Sequence, residues 1–533
     1  NQGVNLGNGT VILAKEDVNV TSPNGSVNVQ GTNITAKNGN ATLQAKENVS
    51  IFNSNISGNK SVKLTAENGS VSTGDSKLES PNGSVDITGN QGVNLGNGTV
   101  ILAKEDVNVT SPNGSVNVQG TNITAENGNA TIQARENVSV FNSNISGNKS
   151  VKLTAENGSV STGDSKLESP NGSVAVTGNQ GVNLGNGTVI LAKEDVNVTS
   201  PNGSVNVQGT NVTAENGNAT IQAKENVSIF NSNISGNKSV VINSENGTTK
   251  LVNTELDSAN GAVTLTGNQA VNLDNGTLIN AKENVTLIAE NGGVLMSGTN
   301  ISAGNGTQNV TILAKTDVEI DNSNLSGSHV RTQATTGSST ITNSTFKAGN
   351  LTVEAQDTNT FERNNINISG QVELSGMPVN FNLNKGVIAE LPLINGLKAF
   401  TQEVETNNPE LEILHKDNNL EVKLETSYED WLEEGNALPQ VEEHEETVSD
   451  LTMPSGEALV VTTTESHFST CYVALHDVFD SYGVTERDLE NLSVDEIMKK
   501  YGISASERDM LSRSCALVPG YDKAILPLKE VKK

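Results

Sequence analysis

Apolar and polar residues alternate in short runs along the first 380 residues of the chain. Each run presents two apolar side chains at period two, a spacing that places both on the same side of a β-strand. In the first 89 residues these pairs are Val11 and Leu13, Val18 and Val20, Val27 and Val29, Val49 and Ile51, Val62 and Leu64, and Val85 and Ile87. The pattern predicts short strands with one buried face, so that Val62 points inward and Lys63 outward.

Turn-forming sequences separate these runs. They are Pro23-Asn24-Gly25, Asn38-Gly39, Asn68-Gly69 and Pro81-Asn82-Gly83. Asn and Gly adopt the positive φ angles that tight corners require. Dividing the chain at these corners gives segments that we take as one coil each, at residues 8–23, 24–37, 38–58, 59–81 and 82–96. We therefore expect five coils of a parallel β-solenoid in every 89 residues, or about 24 Å per repeat and a rod on the order of 100 Å over residues 1–380.

The pattern repeats with a period of 89 residues. The string at residues 1–6, NQGVNL, returns at Asn90 and Asn179 and, in a weaker form, at Asn268. The copies are residues 1–89, 90–178, 179–267 and a degenerate fourth at 268–356. Because the chain opens at a repeat boundary, we expect it to be cut from a longer polypeptide.

The six differences between the first two copies separate an inside from an outside. Three of them exchange one aliphatic residue for another, as a packed interior tolerates: Leu43 becomes Ile132, Ile51 becomes Val140 and Ile87 becomes Val176. The other three replace charged side chains, as a solvated face tolerates: Lys37 becomes Glu126, Lys46 becomes Arg135 and Asp86 becomes Ala175. We expect the first group to point inward and the second group outward.

Two other fold classes fit parts of the pattern. A β-propeller is also built from short strands, but the aromatic motifs of its blades are absent. The abundance of Asn, Gly, Ser and Thr is typical of disorder, but the ordered aliphatic alternation argues against it. The low aromatic content, with 9 Phe, 5 Tyr and 1 Trp in 533 residues, suits a narrow solenoid interior.

The charge of the chain excludes several partners. Lys and Arg total 33 against 61 Asp and Glu, a net charge of −28. We expect no nucleic acid ligand, because phosphate neutralisation needs a basic surface, and no affinity for an anionic membrane. No apolar run approaches the roughly 18 to 20 residues that span a bilayer, so the chain should not itself be membrane-spanning.

The repeats resemble those of a known family. Residues 33–39 (NITAKNG) and 24–29 (NGSVNV), in an Asn- and Gly-rich background, look like the repeats of two-partner-secreted exoproteins of Gram-negative bacteria. They are similar to the high-molecular-weight adhesins of Haemophilus and, more distantly, to filamentous haemagglutinin. The resemblance covers residues 1–380 and implies a right-handed parallel β-helix, export through an outer-membrane β-barrel transporter, and attachment to cells or matrix from the bacterial surface. The amino-terminal secretion domain of the family is not in this chain.

The first repeat carries ten Asn-x-Ser/Thr sequences, which are acceptors for N-linked sugar. They begin at Asn8, Asn19, Asn24, Asn33, Asn40, Asn48, Asn55, Asn59, Asn68 and Asn82 and recur in the later copies. Adhesins of the Haemophilus type carry hexoses on such sequences, which implies the same here. A chain of this composition also generates them by chance, and Asn is favoured at corners for its backbone alone. Asn19 lies between two inward valines and should point outward.

The composition changes after residue 380. Residues 401–450 carry 16 acidic side chains and two lysines. We interpret residues 381–455 as an acidic spacer, because such runs repel one another in a compact core. A divalent-cation site is the alternative, but no ligand spacing like that of an EF-hand is present. We expect no cofactor and no bound metal.

A small α-rich module is predicted at residues 456–533. Ser493 and Ser504 open sequences that read as capping boxes, Thr485 is an earlier candidate cap, and Gly502 lies where a helix should stop. Three short helices are therefore expected between Thr485 and Cys515.

Cys471 and Cys515 bracket these helices. In an exported protein the two cysteines would most simply form one disulfide. Secreted adhesins similar to this chain hold a cysteine-closed hook in the transporter, which implies a retention anchor, although the 43 residues between the cysteines make this loop far larger. His467 and His476 allow a zinc site or a Cys-His nucleophile pair with these cysteines, but the spacing matches no standard zinc motif.

The function that these features favour is a non-enzymatic adhesin with a β-helical stalk and a C-terminal anchor. A self-associating matrix, sheath or fibre protein is the alternative. A polysaccharide-acting β-helix enzyme is the third possibility, disfavoured because the acids are dispersed and Arg135 is the only Arg or His before His329.

Overall fold

The chain divides into two compact units. The structure is a computed structural model that describes residues 3–415, 447–452, 458–460 and 499–502. The units are Asn1–Asn365 and Ile366–Lys533.

Twelve short strands make up the first copy of the repeat. They are β1 (Gly3–Leu6), β2 (Val11–Ala14), β3 (Val18–Ser22), β4 (Ser26–Gln30), β5 (Asn33–Ala36), β6 (Asn40–Ala45), β7 (Val49–Phe52), β8 (Asn55–Gly58), β9 (Ser61–Ala66), β10 (Ser70–Gly74), β11 (Lys77–Ser80) and β12 (Ser84–Gly89). The second copy, β13 to β24, and the third, β25 to β36, have the same strands with bounds shifted by 89 residues each time. The sequence repeat is therefore a structural repeat.

Every third strand stacks in parallel on the one before it. β1, β4, β7 and β10 form one sheet, which we call face A. β2, β5, β8 and β11 form face B, and β3, β6, β9 and β12 form face C. Gly3 pairs with Ser26 and Val27 with Val49, so a coil takes 22 or 23 residues. The predicted parallel β-solenoid is confirmed.

One repeat contains four coils, and the prediction of five was wrong. Each coil has three corners, whereas the predicted segment boundaries fall at corners of different kinds, so the five segments do not correspond to coils. Pro23-Asn24-Gly25 and Asn68-Gly69 lie between faces C and A. Asn38-Gly39 and Pro81-Asn82-Gly83 lie between faces B and C. At about 4.8 Å per coil, a repeat advances about 19 Å.

The interior is filled by the aliphatic residues that alternate along the strands. Five of the six predicted inward pairs, from Val18 and Val20 to Val85 and Ile87, are buried. The three positions of aliphatic exchange, Leu43, Ile51 and Ile87, are also buried, whereas Lys37 and Lys46 are exposed and Asp86 is half-buried on the outer side. Both predictions of orientation are confirmed for these residues.

The pair Val11 and Leu13 was assigned to the wrong side of its strand. These side chains are 68% and 60% exposed, and Ile12 and Ala14 face the interior instead, where Ile12 is in register with Ile34. The four residues of β2 are all apolar, so alternation could not fix which pair is inward.

The fourth copy is less regular. Its strands and those that complete the first unit are β37 (Ala270–Asp274), β38 (Leu278–Ala281), β39 (Val285–Ala289), β40 (Gly293–Ser297), β41 (Asn300–Ala303), β42 (Val310–Ala314), β43 (Val318–Asp321), β44 (Asn324–Ala334), β45 (Ser339–Thr342), β46 (Thr345–Ala355) and β47 (Asn359–Glu362). A 3-10 turn at Gly304–Gly306 interrupts them. β44 is long enough to pair with β41 on face B and with β42 on face C.

Strands continue beyond residue 380. The remaining elements are β48 (Asn365–Ile368), β49 (Val372–Ser375), β50 (Val379–Asn382), β51 (Lys385–Glu390), β52 (Leu393–Ile394), β53 (Leu397–Lys398), α1 (Thr401–Asn407), β54 (Glu410–His415), β55 (Thr447–Thr452) and β56 (Ala458–Val460). β51 pairs in parallel with β54. The first part of the segment predicted as a spacer is therefore regular structure as far as His415.

Little of the predicted C-terminal module falls within the described residues. Residues 499–501 are helical, and Gly502 follows with φ 69°, as expected of a glycine that ends a helix. Cys471, Cys515, His467 and His476 lie outside the described residues, so the disulfide stays a prediction. In the part of the chain that the structure describes, no helix has the length and apolarity needed to cross a membrane.

Candidate functional site

The ten candidate glycosylation sites of the first repeat all lie on the outer side of the solenoid. Eight are exposed, and Asn40 and Asn59 are half-buried. Asn19 is exposed between the buried Val18 and Val20, so its predicted orientation is confirmed. In the strands, the acceptor and the hydroxyl two residues later share the outer face because side chains alternate. The geometry therefore presents the complete acceptor sequence to solvent.

Several of these side chains also bond neighbouring coils. Asn55 Nδ2 donates to Asn33 Oδ1 at 3.3 Å, and Asn82 Nδ2 donates to Asn59 Oδ1 at 2.7 Å. Asn48 Oδ1 accepts from the backbone N–H of Ser70 at 2.9 Å. These asparagines stabilise the stacking of the coils through their side chains, which is a role independent of any sugar. The side chain of Asn19 makes no hydrogen bond to another described residue.

If the chain is glycosylated, the sugars should be found preferentially where the amide nitrogen does not already bond the next coil. We expect peptide mass mapping of the native protein to show hexose on Asn19, with lower occupancy on Asn82, because its Nδ2 lies 2.7 Å from Asn59 Oδ1. Asn19→Gln should remove that hexose and leave the fold unchanged. A native mass equal to the sequence mass would contradict glycosylation altogether.

Exposed ion pairs join successive coils at the corners. Lys46 Nζ lies 3.1 Å from Glu67, and Lys104 Nζ lies 2.9 Å from Glu126. Glu126 stands where the first copy has Lys37, so a charge reversal creates an ion pair there. Exposed pairs of this kind contribute little to stability, because water and salt screen them.

Four carboxyl groups among the described residues have displaced pKa values, each for a structural reason. Hydrogen bonds from Lys224 and Gln222 lower the pKa of Glu245. Hydrogen bonds from Gln44 and Lys46 lower the pKa of Glu67. Hydrogen bonds from Asn343 and Thr342 lower the pKa of Asp321. Burial raises the pKa of Glu403 in α1. These causes differ from the paired acid and base that general acid-base catalysis requires.

The residues that could support chemistry bond to neighbouring strands. His329 Nε2 lies 2.8 Å from Thr352 Oγ1, and an Arg331 guanidinium nitrogen lies 2.8 Å from a Glu354 oxygen. Across the described ranges, no group of three or more His, Cys, Asp or Glu side chains is arranged to hold a metal ion. The expectation that the chain is not an enzyme stays a prediction.

A shallow groove of about 230 Å³ lies on face B of the fourth copy. Its lining is Leu278, Asn300, Ile301, Ser302, Asn324, Leu325, Ser326, Thr345 and Lys347. This groove was not predicted from the sequence. The feature that could have indicated it is an insertion of two residues between β41 and β42, where the fourth copy departs from the 89-residue spacing.

Comparison with protein-family models, curated proteins and solved structures found no match for the chain. The likeness to two-partner-secreted adhesins therefore remains one of sequence pattern. The fold itself is established by the strand pairing of the described residues.

Proposed function

We propose that the chain is part of a non-enzymatic, surface-displayed or secreted adhesin, in which the β-solenoid serves as a stalk. The observation that supports this proposal most is the regularity of the first unit. Its first three copies have the same twelve strands at positions shifted by 89 residues. Each coil packs only on the coils next to it, so the length of the solenoid grows in proportion to the number of coils. Such a design suits a spacer that carries a binding region away from a cell.

The partners follow from the same proposal. An outer-membrane β-barrel transporter would export the chain. A receptor on host cells, other bacteria or matrix would be bound away from the cell surface that carries the stalk. The net charge of −28 disfavours nucleic acid as that receptor. The dispersed acids of the repeat support attachment over hydrolysis of polysaccharide.

Attachment is the direct test. Cells that display the chain should adhere to host cells or matrix several-fold better than cells from which its gene is deleted, and complementation should restore adhesion. A panel of polysaccharides incubated with the purified chain should show no cleavage. Equal adhesion with and without the gene would remove the adhesin proposal, and cleavage would favour the enzyme.

The predicted disulfide would retain the stalk at the outer membrane. A module closed by Cys471 and Cys515 is too bulky to pass a narrow channel when folded, whereas an opened module can unfold and follow. We expect Cys471→Ser or Cys515→Ser to move the chain from the cell-bound to the released fraction, measured by blotting both fractions. Ser514→Ala, next to the cysteine, is the control and should stay cell-bound. Retention of both cysteine variants would contradict the anchor.

A further inference from the structure

Face A has no charged side chain over its first eleven strands. These are β1, β4, β7, β10, β13, β16, β19, β22, β25, β28 and β31, from Gly3 to Phe230. The first charged residue on this face is Lys250 in β34 (Thr248–Val252), which lies 3.4 Å from Asp274. The other faces are charged within the first copy, by Lys77 and Glu79 on face B and by Lys63 on face C. A surface without charge thus lies on face A, while the charged side chains of the repeats lie on the other faces and at the corners.

The outward residues of face A are hydrogen-bonding amides and hydroxyls. One column contains Asn5, Asn28, Ser50 and Ser72 in the first copy. Asn28 Nδ2 donates to Asn5 Oδ1 at 2.8 Å, so these two amides orient each other, and the equivalent pair Asn117 and Asn94 does the same in the second copy. Amide and hydroxyl groups both donate and accept, which makes a surface of this kind complementary to a copy of itself.

A second column supplies apolar contact. Phe52 and Phe141 are 40% and 37% exposed, and Phe230 occupies the same position in the third copy. The ring of Phe52 lies across Gly74, where an added Cβ would be 3.0 Å from its Cδ1 and Cε1 atoms. The rings recur every four coils, or about 19 Å. Aromatic side chains on a surface poor in charge are typical of protein interfaces.

We propose that face A, from Gly3 to Phe230, docks onto the same face of a second copy of this chain. The repeats carry acidic side chains on their other faces and at their corners, and face A lets two copies meet without opposing carboxylates. The charges nearest to it, among them Glu47, Glu67 and Asp75, lie at the flanking corners, where they would form a solvated rim. A two-fold axis parallel to the strands would bring the phenylalanine columns together in a closed, isologous contact.

The area of face A is sufficient for such a contact. Eleven strands about 4.8 Å apart, each about 16 Å long, cover roughly 800 Å² per copy, which is the usual size of a stable interface. This inference goes beyond the proposed attachment function and depends on face A alone.

The test is the oligomeric state of the full chain by sedimentation velocity at micromolar concentration. We expect a dimer that strengthens as salt is raised, because screening reduces repulsion between the acidic chains outside the contact. The triple variant Ser50→Glu, Ser139→Glu and Ser228→Glu should weaken the dimer by at least about a hundredfold, since carboxylates then oppose one another.

The matched control is the triple variant Thr35→Glu, Thr124→Glu and Thr213→Glu on face B. These threonines are half-buried outward residues of equivalent strands, and their neighbours in register, such as Leu13 and Ser57 for Thr35, carry no charge. The control therefore adds the same total charge, again without a carboxylate beside it. A control that dimerises like the parent supports the proposal. A monomeric parent, or equal weakening by both variants, would overturn it. Retention of a monomeric parent on a neutral polysaccharide matrix, lost only in the face A variant, would also overturn it and assign the face to polysaccharide.

Discussion

Val151→Asp should unfold the second copy of the repeat, whereas Lys152→Asp should leave it folded. Val151 is fully buried and stacks between Ala130 and Val174 of the adjacent coils. A carboxylate there would lose its hydration with no cation to compensate, at a cost of several kcal/mol. Lys152 points outward between Thr131 and Ala175, so the same new charge stays in water.

The two variants introduce the same residue at adjacent positions, which makes them matched controls for each other. Thermal unfolding followed by circular dichroism should show a large loss of β-signal or stability for Val151→Asp only. Limited proteolysis should then cleave within residues 90–178. Equal tolerance of aspartate at both positions would contradict the inward and outward assignment of face C.

Gly83→Ala should destabilise the solenoid far more than Gly92→Ala. A Cβ on Gly83 would lie 1.7 Å from the carbonyl oxygen of Lys60 in the previous coil. That oxygen is backbone, so relief requires the coils to separate, at a cost of about 3 kcal/mol. On Gly92 the nearest atom would be Ser70 Oγ at 3.4 Å, an ordinary contact.

Chemical denaturation of the purified full chain would measure both effects. Gly92→Ala should be close to neutral, or stabilising by about 0.5 kcal/mol, because alanine restricts the unfolded chain. Gly83→Ala should lower the denaturation midpoint clearly. The close stacking of the corner between faces B and C would be refuted if the two alanine variants unfolded alike.

The sequence predicted the solenoid and the orientation of residues wherever apolar and polar residues alternate strictly. Val62 and Lys63 illustrate this, because the residues before and after them also alternate between polar and apolar, so only Val62 and Leu64 can face the interior. The predicted orientation was wrong at Val11 and Leu13, because β2 consists of four consecutive apolar residues. There, only the stacking of Ile12 on Ile34 distinguishes the inner side, and that contact is between coils.

The coil length is repeated at a different corner. The turn between faces A and B carries a residue with positive φ, such as Gly31 at 59°, Asn53 at 48° and Asp75 at 45°. A buried hydroxyl follows each of them, and the backbone N–H of Thr32 donates to Ser54 Oγ at 3.1 Å. At this corner the pairs recur every 22 or 23 residues, which is the coil length. The same kind of pair also occurs at other corners, as Gly25-Ser26 and Gly83-Ser84, so the stacking is needed to identify which pairs correspond.

The neutral surface of face A was not visible in the sequence for a related reason. Uncharged stretches of the chain such as residues 18–36 contain strands of all three faces, whereas other strands of face A, such as β7 and β10, lie next to charged corner residues such as Glu47 and Asp75. The absence of charge emerges only when residues 22 or 23 apart are placed side by side. A face of a solenoid is a property of the stacking and not of any one segment.

The closure of each repeat after four whole coils has a genetic consequence. β13 begins at Gly92 on the same face and at the same position as β1 at Gly3. Recombination between the DNA segments that encode these near-identical copies of the protein sequence would therefore delete or duplicate four coils and leave the strands of each face in register. The solenoid would shorten or lengthen in steps of about 19 Å, with all three faces continuous across the junction. The reach of the molecule can thus evolve by changes in copy number alone.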